Sequence, residues 1–311
     1  MTVATHKPLL PARLRKGDLV GIAAPSGPIN ADIAAGIRML QDAGLKTIVS
    51  QDINRRQDYL AGCDSRRIEE LHELFSNPQV KAIWAARGGF GCARLLANID
   101  YQLIKQNPKI LIGFSDLTLL LNTIQSKTGV VTFHGPVLST IMRDGPTALK
   151  NCLTTLSQPR LADAKIKGLE ILRPGQATGS LVGGNLTSLV SLLATPYEPG
   201  WQEALLLLED VNEPSYKIDR MLTQLKLAGR LDQIGGVILG DFLDNTLNSL
   251  GDIELIWQRV LELTTDKVPV WANFPVGHGP KNLTWPIGSR VLMDSYSGCL
   301  KFQEDCLMRG T

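Results

Sequence analysis

The chain has 311 residues, enough for two domains or one large α/β domain, with a core that needs no cross-links. Lys and Arg number 32 against 30 Asp and Glu, and a net charge of +2 lacks the basic surplus of a nucleic-acid binder. Hydrophobic residues at 44 % with charged residues at 20 % mark a globular chain rather than a disordered one. The cysteines (Cys63, Cys92, Cys152, Cys299, Cys306) are odd in number and scattered, with no C-x-x-C, so neither a disulfide framework nor a Cys-based zinc site is expected. A reducing, cytoplasmic setting fits them. The N-terminal stretch from Met1 to Pro11 lacks the apolar core of a signal peptide, and no apolar run reaches the ~18–20 residues that span a bilayer.

In chain order, Leu19–Ala24 is apolar on both faces and reads as a central parallel strand. Ile33, Ile37 and Leu40 then recur at helical spacing over residues 31–43, with Gly44 as a stop signal. Leu45–Ser50 reads as a strand, Arg66–Phe75 as a helix, and Ala82–Ala86 as a strand broken by Arg87-Gly-Gly-Phe-Gly91. A helix is expected over Cys92–Leu96, a buried strand over Lys109–Gly113, a helix over Leu117–Lys127 and a strand over Val130–Phe133. This alternation predicts an α/β fold whose N-terminal domain holds a parallel sheet covered on both faces. Pro and Gly between Pro159 and Gly179 mark a transition, giving an N-terminal domain over 1–160, a linker over 161–178 and a smaller mixed α/β domain over 179–311. In the latter, Gly179–Gly184 is glycine-rich, and Asn185–Leu193 and Ile218–Leu227 read as helices. Ala204–Leu208, Val237–Leu239 and Val268–Val270 read as strands, and Arg290–Ser295 with Gly298–Phe302 as a terminal strand pair.

Ligands on parallel sheets bind beyond the carboxyl ends of the strands. The loops at Pro25–Pro28, Arg87–Gly91, Phe114–Asp116 and His134–Pro136 all follow predicted strands there. Ser115 stands between a buried strand and a helix, as a nucleophile does on a strand–turn–helix elbow. The same serine also suits a helix N-cap, with Asp116 in the first turn. Arg87–Gly91 can turn backbone N–H groups toward an anion, or serve simply as a tight turn. Of the four histidines, His6 lies in the N-terminal segment and His72 in the acidic helix Glu69–Glu73. His134 and His278 remain as loop bases, His278 being flanked by glycines in Phe274–Pro280. Glu209 closes the run Ala204–Leu208, where a carboxylate needs a partner; Glu213 and Asp219 compete with it. Ser115, Glu209 and His278 form one credible nucleophile–orienter–base set, in an order known on sheet scaffolds.

Taken together, seven segments in order resemble the LD-carboxypeptidases, serine peptidases that include muramoyltetrapeptide carboxypeptidases and microcin C immunity peptidases. They are Ile22–Gly27, Arg87–Gly91, Gly113–Thr118, His134–Pro136, Gly183–Asn185, Leu208–Glu213 with Tyr216–Arg220, and Gly277–Gly279. The resemblance implies a two-domain fold with the cleft between the domains. It implies Ser115 as nucleophile, His278 as general base and Glu209 as its orienter. It also implies an oxyanion hole from the N–H groups of Asp116 and Gly89. Ser26, Arg87, Gly88, His134 and Asn185 are expected to contact substrate, and the implied enzyme is a homodimer that needs no metal or cofactor. The implied reaction removes the terminal D-alanine from a murein tetrapeptide. A microcin-type peptidase acting on peptidyl or aminoacyl nucleotides shares the same three residues, and a non-catalytic peptide-binding module is the alternative of another class. Two departures from the family pattern are Phe114, where tyrosine is frequent, and Lys217, where arginine is.

Overall fold

A computed structural model describes residues 8–29, 32–243 and 250–309, so His6 lies outside the described residues. The first half alternates as the sequence predicts: β1 (Leu19–Ala23), α1 (Ala34–Asp42), β2 (Lys46–Val49), α2 (Asp64–Ser76), β3 (Val80–Ala85), α3 (Tyr101–Gln106), β4 (Ile110–Gly113), α4 (Thr118–Thr128) and β5 (Thr132–His134). Next come α5 (Leu138–Asp144), α6 (Pro146–Ser157), β6 (Ala164–Lys165), β7 (Glu170–Arg173), β8 (Gln176–Asn185), α7 (Leu186–Val190) and β9 (Leu205–Val211). The chain continues through α8 (Ser215–Leu227), β10 (Gly236–Leu243), α9 (Leu250–Leu263), β11 (Val270–Ala272), β12 (Trp285–Ile287), β13 (Arg290–Asp294) and β14 (Cys299–Phe302).

Among the described residues these strands form two sheets, ordered β12-β5-β4-β3-β1-β2 and β6-β14-β13-β8-β9-β10-β11-β7. In the first sheet β1 to β5 are parallel and only β12 is antiparallel. The second is mixed, with a parallel centre from β8 to β11 and antiparallel strands outside it. This is the expected two-domain α/β fold.

The strand β9 shows why its sequence is a run of leucines. Leu206 and Leu208 join the core that also holds Ile83, Leu111 and the apolar face of α4. Leu205 and Leu207 point the other way, into a cluster with Trp271, Trp285 and Phe302. A strand buried on both faces has no polar side to alternate with. Each such side chain contributes about 1.5–3 kcal/mol by leaving water. The helix α4 is similarly buried nearly all round, from Thr118 to Ile124, because it lies between the two halves. The halves therefore share one core, and their facing strand ends are held in fixed relation.

Several elements differ from the sequence reading. The expected helix at Cys92–Leu96 is two 3-10 turns, Cys92–Arg94 and Leu96–Asn98. The Cys92 N–H is taken by the Asp116 carboxylate, and Asp100 starts a new helix by capping Leu103 N. The glycine-rich segment is the ten-residue strand β8; Gly183 has φ +110°, and a Cβ there would fall 2.1 Å from the Leu207 carbonyl. Glycine is what lets the two backbones meet. The stretch assigned as linker, 161–178, contains β6 and β7 of the second sheet. The chain does not divide once: β12 returns to the edge of the first sheet, and Cys306 and Leu307 enter the core beneath it. Pro286 hides β12 in the sequence, yet an edge strand tolerates a proline because one of its sides needs no N–H. Helix α9 fills a stretch to which the sequence reading gave no element.

Candidate active site

Ser115 follows β4 after the single residue Phe114 and begins a 3-10 turn that runs into α4. Its φ is +63°, a left-handed conformation costly for a residue with a Cβ. Such strain persists only where the surroundings over-determine it. Here the buried Phe114 and Leu117 hold the turn on both sides. The geometry is that of a raised elbow, and the half-buried hydroxyl stands at the carboxyl end of the first sheet.

The Asp116 carboxylate fastens three loops together. Its Oδ2 accepts a 2.5 Å hydrogen bond from Ser26 Oγ and a 2.9 Å bond from Cys92 N. Its own N–H lies in the first turn, where the helix provides no acceptor. The Arg87–Gly91 loop packs directly on the serine: a Cβ on Gly88 would lie 2.9 Å from Ser115 Cβ and 3.0 Å from its Oγ. Gly89 faces Gly27 instead, so Gly88 is the glycine against the hydroxyl. Arg87 is tied down, its Nη1 donating to Pro28 O at 2.8 Å.

From the second sheet, Glu209 at the end of β9 lies 2.7 Å from Nδ1 of His278. Glu209 is fully buried while the histidine side chain is 19 % exposed. Burial pushes the Glu209 carboxyl above the usual carboxylate range, against the opposing pull of His278. The Gly277 backbone passes so close that a Cβ would sit 3.2 Å from Glu209 Oε2, and its φ is +128°. The His278 ring packs 4.7 Å, centroid to centroid, from Phe114, the neighbour of Ser115. His278 thus packs on the residue that precedes Ser115, and no hydrogen bond joins the two side chains. Such bonds often tighten only around substrate.

Other expected contacts have different employment. Ser26 is fully buried and its hydroxyl is spent on Asp116. Asn185 is buried, donating to Asp210 Oδ1 at 3.0 Å and capping α7 through Ser188 N. His134 is fully buried under Phe114, with both ring nitrogens lacking a partner among the described residues. Burial first, and nearby His278 second, push its imidazole down to about 3, so it is neutral. All three side chains are buried in this structure. His72, in the acidic helix, accepts the Asp100 N–H at 2.9 Å.

The sequence reading missed a supporting layer. On α2, Arg67 is fully buried and donates to Pro25 O at 2.6 Å, while Glu70 Oε2 accepts Ala24 N at 2.7 Å. These two charged groups hold the loop after β1, although by pattern they belong to a solvated helix face. Asp241, on β10, accepts the Gly279 N–H at 3.0 Å and steadies the histidine loop. Its signal was available: an acid following the apolar run Val237–Leu239, as Glu209 follows Leu208.

Among the described residues no group of three or more His, Cys, Asp or Glu could hold a metal ion, and no helix is long and apolar enough to cross a membrane.

Comparison with known proteins identifies the family. Residues 20–135 match the model of the LD-carboxypeptidase N-terminal domain, and residues 178–293 that of the C-terminal domain. The chain is 38 % identical to a probable murein peptide carboxypeptidase of Bacillus subtilis, covering 92 % of this chain and 91 % of that protein. It is 32 % identical to the murein tetrapeptide carboxypeptidase of Pseudomonas aeruginosa, covering 88 % and 92 %. The solved structure of the microcin C7 self-immunity protein MccF in complex with aspartyl sulfamoyl adenosine superposes with a TM-score of 0.88 at 26 % identity, covering 97 % of this chain and all of that one. On both its domains, the chain belongs to the LD-carboxypeptidase family.

Proposed function

We propose that this chain is a serine-type LD-carboxypeptidase that removes the terminal D-alanine from murein tetrapeptides. The observation that carries the reading is the Glu209–His278 pair, 2.7 Å apart, whose histidine packs on Phe114, the neighbour of a serine held at φ +63°. A pure binding module has no need of a base paired to a buried acid next to an elbow hydroxyl. The two murein-peptide carboxypeptidases among its relatives support the substrate class.

In this mechanism the Nδ1–H of His278 donates to Glu209, leaving Nε2 free to accept the Ser115 proton. Ser115 Oγ attacks the carbonyl before the terminal D-alanine, and the carbonyl oxygen becomes an oxyanion. The Asp116 N–H and a backbone N–H from the Gly88–Gly89 turn stabilise it. Each such fixed donor is worth ~10²–10³ in rate. The imidazolium returns its proton to the leaving amine, and water releases the acyl group by the same steps in reverse order. All five cysteines are free thiols, which suits a reducing, cytoplasmic setting.

The test is incubation with purified murein tetrapeptide followed by mass analysis. Loss of one alanine, abolished in Ser115→Ala, supports the reading. Intact tetrapeptide alongside hydrolysis of a peptidyl nucleotide overturns it in favour of the microcin-type activity.

A further inference from the structure

Phe114 contacts two imidazoles. Its ring centroid is 4.7 Å from that of His278 at an interplanar angle of 51°, and 5.9 Å from that of His134 at 66°. The ring is buried, and its backbone is the extended link between β4 and the Ser115 elbow. It is therefore rigid where the nucleophile is rigid. A cation within about 6 Å of an aromatic centroid, over its face, is attracted by the ring quadrupole.

We propose that Phe114 is a positioning residue for His278: its ring fixes the imidazole plane, and its π face stabilises the imidazolium formed when the Ser115 proton is taken. This rests on His278 being the general base. In the step concerned, the Ser115 O–H bond breaks, its proton passes to Nε2, and the Oγ–carbon bond forms with the freed electron pair.

The charges around His278 leave this role open. Glu209 from β9 faces Nδ1, and Asp241 from β10 holds the adjacent Gly279 N–H. Asp210 lies beyond Glu209 and is engaged with Asn185 and Thr187. Lys281 on the same loop is exposed. From β5 comes His134, neutral because it is buried, so no second positive charge sits behind the ring. Carboxylates therefore supply one flank of the imidazolium. Its aromatic contact is Phe114.

The experiment replaces Phe114 with pentafluorophenylalanine, which nearly keeps the shape and reverses the quadrupole. Phe114→Tyr, which keeps the π face, and Phe114→Leu, which removes it, are the companions. The readout is the pH titration of the His278 ring proton by NMR, which needs no substrate. The chain has only four histidines, and His278→Gln identifies the resonance. The expected result is a midpoint lower by roughly half a pH unit in the fluorinated and leucine variants, a roughly threefold loss of proton affinity, and unchanged in Phe114→Tyr. The acid limb of kcat/KM should move with it. An unmoved midpoint in the fluorinated variant, or an upward shift in Phe114→Leu as water replaces the ring, overturns the proposal. Failure to cleave tetrapeptide would condemn the proposed function and leave this titration to decide the role of Phe114 by itself.

Discussion

Gly88→Ala tests whether the glycine loop and the nucleophile form one close-packed unit. The added Cβ would lie 2.9 Å from Ser115 Cβ and 3.0 Å from Oγ. Ordinary carbon–carbon contact begins near ~3.5 Å, so the site is short by roughly half an ångström. Ser115 has little room to retreat, because its turn is already left-handed and lies between buried Phe114 and Leu117. The strain should cost about 1–3 kcal/mol, as overpacking does. A misplacement approaching ~1 Å at the reacting atom costs up to about 10²-fold in rate. We therefore expect kcat on the tetrapeptide to fall roughly 10- to 100-fold, with a parallel fall in labelling of Ser115 by a serine-directed phosphonate. Alanine keeps the backbone N–H, so the loss is steric and not that of a hydrogen-bond donor. A folded Gly88→Ala protein with activity and labelling within about threefold of the parent would refute the close packing on which the site is built.

Two further perturbations separate structural from chemical roles. Ser26→Ala should destabilise the fold by about 1.5–3 kcal/mol, since it strips the buried Asp116 carboxylate of its hydroxyl donor. Its KM should stay within threefold; a tenfold rise with unchanged stability would make Ser26 a substrate ligand instead. Glu209→Gln should lower kcat by ~10²-fold or more by misorienting the imidazole. It should also change stability with pH in a defined sense. The folded-state carboxyl is raised above its ordinary 4.5, so the folded protein holds the proton longer than the unfolded chain does. The parent therefore loses stability relative to the variant as pH rises from about 4.5 through the raised value. Urea unfolding from pH 4.5 to 8 measures the stability of the parent minus that of the variant, and a difference that rises with pH would contradict the burial argument.

The strand ahead of Ser115 and the strand that carries Glu209 were legible because each is an apolar run leading to a polar residue, whereas His278 stood out by its flanking glycines in a loop. Such a run marks both a buried strand and its ligand-facing end. What lay beyond the sequence was where a polar side chain is spent. Ser26 stands in the loop after β1 and Asn185 at the end of β8, both at strand ends, but their partners are 90 and 25 residues away in the chain. The burial of Arg67 and Glu70 lay beyond the sequence for the same reason: their acceptor and donor lie on the loop after β1, brought there only by the sheet. Periodicity reports burial of apolar groups. It carries no information about a buried charge satisfied by distant backbone.

Asp116 shows how the two kinds of information join. The sequence marks it as the residue after a candidate nucleophile, with an N–H free to stabilise an oxyanion. The fold gives its carboxylate a second task, binding the loop after β1 through Ser26 and the loop after β3 through Cys92. A buried carboxylate with two donors is stable only when both loops are in place. The position of the glycine turn against Ser115 is thus coupled to the turn that holds Ser115 itself. Two loops distant in sequence are set by one side chain on the elbow, and the donors proposed for the oxyanion are organised before any substrate arrives. Preorganisation of this kind is what makes backbone N–H groups effective in catalysis, because no dipole has to turn as the charge develops.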